Sequence, residues 1–283
     1  MEGEKADTKA EKAHGGSSRA RQAAKPAVSS YDVIGDIAIV DIPEGQEGRA
    51  KEIAESIVAV HPRIKTVLEK KSDRFGEYRL RELKPIIGSE TETIHTEHGC
   101  RFKIDVTKAY FSPREGTERD RVASQVKPGE VVLVMFAGVG PFAIAIAKKQ
   151  PRVRKVYAVE INPDAVKYME ENVKLNRMSY VVEPVLGDAK VACKGLCGRC
   201  GRVVMPLPHE GRKFLETAIK CLRPGGIIHF YYVGPENDMF RIGAHIAKME
   251  CEKLGRRCRI TGQRRVLPYG PRMHKVCIDF EVE

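Results

Sequence analysis

One stretch, Val131-Val-Leu-Val-Met-Phe-Ala-Gly-Val-Gly-Pro-Phe142, constrains what this chain can fold into more than any other. An apolar, β-branched run enters a loop holding Gly138 and Gly140, and an apolar-periodic segment through Phe142, Ile144, Ile146 and Ala147 leaves it. That order predicts a buried strand, a tight turn and a helix. Glycine lets backbone approach a ligand with no Cβ in the way, and a helix beginning at Pro141 presents unpaired N–H groups at the same place. The turn suits a nucleotide cofactor, although many α/β proteins place glycines there for packing alone.

Strands and helices alternate beyond the turn. Strands are expected at Lys155–Val159, Val181–Leu186, Arg202–Met205 and Gly226–Val233, with helices at Asp164–Leu175, Arg212–Leu222 and Met239–Leu254. The last two strands, Arg257–Val266 and His274–Val282, have no helix of crossover size between them and are expected to pair antiparallel. The fold class is therefore α/β, a Rossmann-like, doubly wound sheet with an antiparallel edge strand.

Upstream, the pattern predicts a small α/β domain over residues 31–105. A strand at Asp36–Ile42 and a helix at Gly48–Val60 precede strands at Thr66–Glu69, Arg79–Ile87, Glu92–His95 and Arg101–Val106. After Phe111-Ser-Pro113, a helix at Glu118–Gln125 leads into the opening strand, so the second domain is expected over residues 106–283. Residues 1–30 are Lys, Ala, Glu, Gly and Ser with almost nothing to bury, and read as a disordered tail.

The tail is nearly balanced in charge, so the excess of 49 Lys+Arg over 38 Asp+Glu, a net +11, belongs to the folded part. It concentrates in Lys190–Arg223 and in Arg256–Lys275, where Arg256, Arg257, Arg259, Arg264, Arg265 and Arg272 cluster. Such a balance favours a polyanionic partner, with nucleic acid leading. The first thirty residues hold no apolar signal core, and no run of about 18 apolar residues could span a membrane. A cytoplasmic protein with reduced thiols is expected.

Two acids narrow the ligand. Glu160 ends the second strand of the sheet, where a carboxylate can take both hydroxyls of a ribose, and Asp188 in Gly187-Asp188-Ala189 follows the third, placed for an adenine amino group. The competing readings are a helix-cap partner for Glu160 beside Asn162-Pro163 and a turn for Asp188. The acid after the third strand, with a single glycine turn rather than a full G-x-G-x-x-G, favours S-adenosylmethionine over NAD.

A set of motifs then resembles one family. These are Cys100-Arg-Phe-Lys-Ile-Asp-Val-Thr-Lys-Ala-Tyr110-Phe-Ser-Pro-Arg114, Gly116-Thr-Glu-Arg119, Phe136-Ala-Gly-Val-Gly-Pro-Phe142, Glu160-Ile-Asn-Pro163 and Ile228-His-Phe-Tyr-Tyr232. Together they look like the archaeal and eukaryotic Trm5 family, S-adenosylmethionine-dependent methyltransferases that modify N1 of the guanosine immediately 3′ of the tRNA anticodon. The resemblance runs from Tyr31 nearly to the end, in a short form lacking the family's further N-terminal domain. It implies Glu118 as general base for the guanine N1 proton and Arg79 as support for charge on O6. It also implies Tyr110 and Pro208 at the transfer pocket, and Arg119 at the methionine end of the cofactor. Phe136, Gly138, Gly140, Glu160, Ile161, Asp188 and Ala189 are its implied cofactor set. The partner is the anticodon stem-loop of tRNA, bound by a monomer, and no metal is required. Competing readings are a first-turn helix acid for Glu118, a solvated strand residue for Arg79, core packing for Tyr110 and an ion pair with Asp120 or Glu115 for Arg119.

Three positions depart from the pattern. Val134 stands where the family usually has an acid, and Pro206 stands where it usually has an Asn that orients the target guanine. Proline has neither an amide side chain nor a backbone N–H. The third departure is Cys193-Lys-Gly-Leu-Cys197-Gly-Arg-Cys200, which reads as surface thiols or as a metal-held loop with His209 or Cys221 as the nearest fourth ligand. The same spacing occurs in radical enzymes, whose chemistry belongs to a different barrel fold. The rival functions are the aminocarboxypropyl transferase of wyosine biosynthesis, and an RNA-binding relative that has lost catalysis.

Overall fold

The computed structural model describes residues 30–283. The expected tail therefore lies outside the described residues, except for Ser30. A four-stranded sheet comes first, β1 (Tyr31–Ile34), β2 (Ile37–Val40), β3 (Thr66–Lys70) and β4 (Leu83–Ile87), lying in that order. Helix α1 (Ala50–Val60) buries Ile53, Ala54 and Ile57 against it, the spacing of one helical face. Strand β1 escapes the sequence reading because only Ile34 of its four residues is buried, which leaves no alternation to detect. The strand expected from Arg79 starts instead at Leu83. Before it, Phe75 N–H bonds to the Leu80 carbonyl and Arg79 takes a left-handed φ of 54°, which makes a turn.

The hairpin β5 (Glu92–Glu97) and β6 (Cys100–Asp105) bridges the two sheets. Its Phe102 and Ile104 share one buried cluster with Ile37 and Leu68 of the small sheet and with Phe142 and Ile144 beyond the glycine turn. The buried face of this hairpin, with Thr93, Phe102 and Ile104, packs the two units into one body, while Ile94, Thr96 and Arg101 stay exposed.

The large sheet holds seven strands in the order β12-β13-β11-β10-β7-β8-β9. They are β7 (Val131–Met135), β8 (Lys155–Glu160), β9 (Val182–Leu186), β10 (Cys200–Met205), β11 (Leu222–Pro235), β12 (Cys258–Gly270) and β13 (Met273–Val282). Strands β9, β8, β7, β10 and β11 are parallel. The edge strand β12 pairs antiparallel with β13, as a closing hairpin must, and β13 runs against β11 as well. The strand that opposes the parallel set is thus second from the edge. Helices α2 (Gly116–Ser124), α3 (Pro141–Lys149), α4 (Pro163–Leu175), α6 (Leu215–Cys221) and α7 (Arg241–Lys253) cover the sheet, with a single turn α5 (Ala189–Ala192) after β9. Among the described residues no helix is long and apolar enough to cross a membrane.

Asn172 of α4 is fully buried and fixes the turn on which the site depends. Its Oδ1 accepts the Lys103 N–H at 2.6 Å, and its Nδ2 donates to the Lys103 carbonyl at 3.0 Å and the Val139 carbonyl at 3.1 Å. One side chain so ties the hairpin, helix α4 and the glycine loop together.

Candidate active site

A chamber of about 700 Å³ opens where β7 and β8 end, between the loop Asp73–Arg81 of the small unit and the hairpin tip Leu267–Tyr269. Open parallel sheets bind ligands in this position, because the helices that follow the strands point their N-termini there. Eight of the residues expected at the site line it: Arg79, Tyr110, Arg119, Phe136, Gly138, Glu160, Ile161 and Pro208. Glu118, Gly140, Asp188 and Ala189 do not.

The two glycines have different work. Gly138, at φ 55°, borders the chamber, where an added Cβ would meet only the Tyr110 carbonyl at an ordinary 3.5 Å. Gly140, at φ 88°, precedes helix α3 and faces away, where a Cβ would press on the Met169 side chain at 2.9 Å. Close helix packing explains the second glycine, and backbone access to the chamber the first. Phe136 also adopts a left-handed φ of 56°, and its ring packs edge-on against Phe214 with centroids 4.9 Å apart.

Glu160 gathers the turn around its carboxylate. Oε2 accepts the Gly138 N–H at 2.7 Å, and Oε1 accepts the Ile161 and Asn162 N–H groups at 2.9 Å each. Burial raises its pKa, and the three N–H bonds work in the opposite direction. The cap expected beside it is supplied by Asn162, whose Oδ1 accepts the Asp164 and Ala165 N–H groups. Asp188 caps α5 by accepting the Lys190 N–H at 2.6 Å, and Ala189 is buried among Leu133 and Met135. The local geometry of Asp188 is the turn-and-cap arrangement that competed with an adenine contact.

On the other side of the chamber, Arg79 donates to the Tyr269 hydroxyl at 3.0 Å, joining the small unit to the hairpin tip. Tyr269 in turn packs edge-on against His209. Tyr110 carries the Arg74 guanidinium over its ring at 3.9 Å. Arg119 is buried and pairs side-on with Glu97 of β5 through Nε and NH2, and NH2 also donates to the Ser112 carbonyl at 2.9 Å. Its partner is thus neither Asp120 nor Glu115, the two acids nearest in sequence.

Glu118 points to the far side of α2. Its Oε2 accepts Arg121 Nε at 2.8 Å, and its Oε1 accepts Arg121 NH2 at 2.7 Å and the Tyr231 hydroxyl at 2.6 Å. Arg121 also holds Asp279, which pairs with His229 Nδ1 at 2.6 Å, and His229 Nε2 faces Arg202 NH1 at 2.6 Å. The histidine spans a carboxylate and a guanidinium, so the neutral ring with its proton on Nδ1 satisfies both. Burial opposes the Asp279 charge, but the bonds from His229 and Arg121 overcome it and hold the carboxyl well below its ordinary range. Burial also depresses His229 and pushes the Tyr231 phenol well up. His229, Cys277 and Asp279 bring ligand atoms within 4.8 Å of one another. The guanidiniums of Arg121 and Arg202 already engage Asp279 and His229, and the Cys277 thiol donates to Asp279, so a further cation there meets repulsion.

Unlike Glu118, Glu115, immediately before α2, does line the chamber. Lys275 of β13 donates to both of its oxygens at 2.9 Å, and the Tyr110 hydroxyl donates to Oε1 at 3.2 Å. The Lys275 ammonium also lies 3.4 Å from the Pro206 carbonyl. Sequence reasoning overlooked this pair, as it did Glu97, Arg121, Asp279 and Tyr269. A signal existed: Lys275, Cys277 and Asp279 alternate with Val276, Ile278 and Phe280 in a buried run, which places three polar groups on one face.

The departures resolve unequally. Val134 is buried between Ala158 and Val204 and does not line the chamber, whereas Pro206 does. In the cysteine loop Cys193, Cys200 and Cys221 are buried and Cys197 is exposed. The Cys221 thiol donates to the Cys193 carbonyl at 3.6 Å, and burial pushes the Cys200 thiol up to about 12. In the basic cluster, Arg256 bonds to the carbonyls of Ile219, Leu222 and Glu283, and Arg259 pairs with Glu281, so part of that charge anchors the chain itself.

A sheet in this order, with a glycine turn and a strand-end acid bordering the chamber, defines a Rossmann-like methyltransferase. The chain belongs to the TRM5/TYW2 methyltransferase family: that family's methyltransferase domain matches residues 93–261, and the TYW2 N-terminal domain matches residues 19–91. It is 48% identical over 257 residues to tRNA (guanine(37)-N(1))-methyltransferase Trm5b of Pyrococcus abyssi, spanning 90% of this chain and 75% of that protein. It is 36% identical to a tRNA(Phe) (4-demethylwyosine(37)-C(7)) aminocarboxypropyltransferase of Methanocaldococcus jannaschii, spanning 89% and 98%. Among solved structures, the complex of aTrm5 with tRNALeu superposes with a TM-score of 0.80 at 37% identity, covering 90% of this chain and 72% of that one. M. jannaschii TYW2 in complex with AdoMet gives 0.71 at 31%, covering 90% and 99%.

Proposed function

We propose that this protein is an S-adenosylmethionine-dependent tRNA methyltransferase acting on N1 of guanosine 37, the activity that the Pyrococcus relative's name carries. The observation that supports it best is the single chamber joining two half-sites. Gly138, Glu160 and Ile161 line it at the strand ends, Arg79 lines it beside Tyr269, and Tyr110 lies between them, its carbonyl facing Gly138 and its hydroxyl on Glu115. A cytoplasmic location goes with this reading.

The residues present fit the cofactor. Gly138 leaves room for a ligand against the backbone, and the Glu160 carboxylate retains acceptor capacity for ribose hydroxyls. Arg119 and Phe136 close the same end. When bound, S-adenosylmethionine supplies a methyl group on a positively charged sulfur. Attack neutralises that charge, so the protein's task is to position guanine N1 and to remove its proton. Arg79 places a guanidinium at the target end, suited to charge developing on O6. Glu118 is the base that the family resemblance implies, and its carboxylate is engaged by Arg121 and Tyr231. Proton removal by Glu118 then requires one of those bonds to open toward the chamber.

A second reading has one observation in its favour. The match of residues 19–91 to the TYW2 N-terminal domain suits aminocarboxypropyl transfer, which takes a different carbon chain from the same cofactor. Incubation with S-adenosylmethionine and, in parallel, a tRNA bearing G at position 37 and one bearing the wyosine precursor there, followed by nucleoside mass spectrometry, decides. 1-Methylguanosine is expected. An aminocarboxypropyl product on a wyosine precursor would move the assignment to the second reading, and tRNA binding without any product would remove both.

A further inference from the structure

The buried pair Glu115–Lys275 is not used by the mechanism above, yet it lies at the target end of the chamber. Glu115 and Lys275 are only 4% and 3% exposed, so both charges have been taken out of water. A fully desolvated ion pair is poor evidence of stabilisation, because a well-packed apolar pair of the same size does as well or better. Its position next to Pro206 is informative. Pro206 offers only a carbonyl, and the Lys275 ammonium sits against it. At the point where an amide side chain could read a base, this chain holds one acceptor group and one donor group side by side.

Guanine presents two donors and one acceptor along its Watson–Crick edge: N1–H and N2–H₂ adjacent to one another, then O6. A carboxylate accepts an amino N–H, and an ammonium donates to a carbonyl-type oxygen. Resting on the proposed substrate, we infer that Glu115 and Lys275 read the two groups that flank N1 on that edge, with Glu115 accepting from N2–H₂ and Lys275 donating to O6, which leaves N1 and its proton to Glu118 and the methyl donor. The ammonium has three protons and can keep Glu115 while turning one to O6. The Tyr110 hydroxyl, 3.2 Å from Glu115 Oε1, holds the carboxylate in its plane while the base enters. Adenine places a donor, N6–H₂, against the Lys275 donors and has no amino group at C2 for Glu115.

The test compares tRNAs bearing guanosine or inosine at the target position, since inosine lacks only the N2 amino group. The native protein should prefer guanosine in kcat/KM by roughly 10- to 100-fold, the effect of one bond to a charged group. Glu115→Gln should lower kcat/KM on guanosine by a similar factor and bring the two tRNAs within about 3-fold, with S-adenosylmethionine affinity unchanged. Because Glu115→Gln leaves Lys275 unpaired, the double variant Glu115→Gln/Lys275→Gln is measured beside it, and it should show the same loss of preference. Retention of the guanosine preference in either folded variant overturns the inference and leaves the proposed activity standing. Absence of methylation by the native protein on the guanosine tRNA overturns the activity itself, and the inference with it.

Discussion

The two ends of the chamber are built by different means. At the cofactor end the contacts come from the backbone of two adjacent strand-end loops, with Glu160 collecting the N–H groups of Gly138, Ile161 and Asn162 and Asn172 fixing the glycine loop from behind. At the target end, side chains arrive from distant parts of the chain: Arg79 bonds Tyr269, and Glu115 bonds Lys275. The first construction is rigid and local, so its parts are expected to fail together. The second is modular, so individual groups can be removed with separate consequences.

The largest expected effect tests whether α2 serves only the target end. Glu118→Gln should reduce turnover by about 10²- to 10⁴-fold, the range for loss of a general base, while cofactor affinity stays nearly intact. An equal fall in both would make Glu118 a strut that shapes the whole chamber. Next, Glu160→Ala should weaken S-adenosylmethionine binding by roughly 10- to 100-fold, as loss of charged hydrogen bonds does, and leave the KM for tRNA close to native. Isothermal titration and steady-state kinetics on the same preparation separate the two, and a matching rise in KM for tRNA would erase the division. Smaller still, Tyr269→Phe should lower kcat/KM for tRNA by about 3- to 10-fold through the freed Arg79, with cofactor binding untouched.

The smallest effect is on stability and concerns the wiring behind Glu118. His229 is depressed by burial, so the unfolded chain takes up its proton first. Its contribution is complete above the ordinary histidine pKa of about 6.5 and is lost as pH falls below that value. Asp279 is also depressed, and its contribution is lost only on further acidification, below the ordinary carboxylate value of about 3.9. Thermal melts between pH 7.5 and pH 5 should therefore show a falling Tm, by about 1 kcal/mol equivalent or less, that His229→Gln flattens. An unchanged slope in that variant would place the titrating group elsewhere.

This division also explains what could be read in advance. Alternating apolar patterns and the Gly138–Gly140 loop made the sheet, its helices and the position of the glycine turn legible, because those depend on residues near one another in sequence. Glu160 was legible for the same reason. The short, half-exposed strand Tyr31–Ile34 gave no pattern, and the turn at Arg79 interrupted a run that looked like strand. Glu118 was selected by motif, and the motif could not reveal that Arg121 and Tyr231 surround its carboxylate. Glu115 and Lys275 have charge signs and positions that make sense only once β13 is laid beside β11. Val134 looked like a departure at the ligand, yet it lies in the core, while Pro206 faces the chamber.

The placement of β13, second from the edge, bears on how the molecule comes together in time. Glu115 meets Lys275 across 160 residues of chain, and Arg121 meets Asp279 across 158. Contacts of such separation close late, since a long loop must be ordered before they form. On the ribosome the glycine turn and β8 can pair long before β13 has emerged, so a half-built domain has a cofactor end and no target end. Competence toward the target base thus waits for the final strand, and a nascent chain cannot act on tRNA before that strand has inserted beside β11.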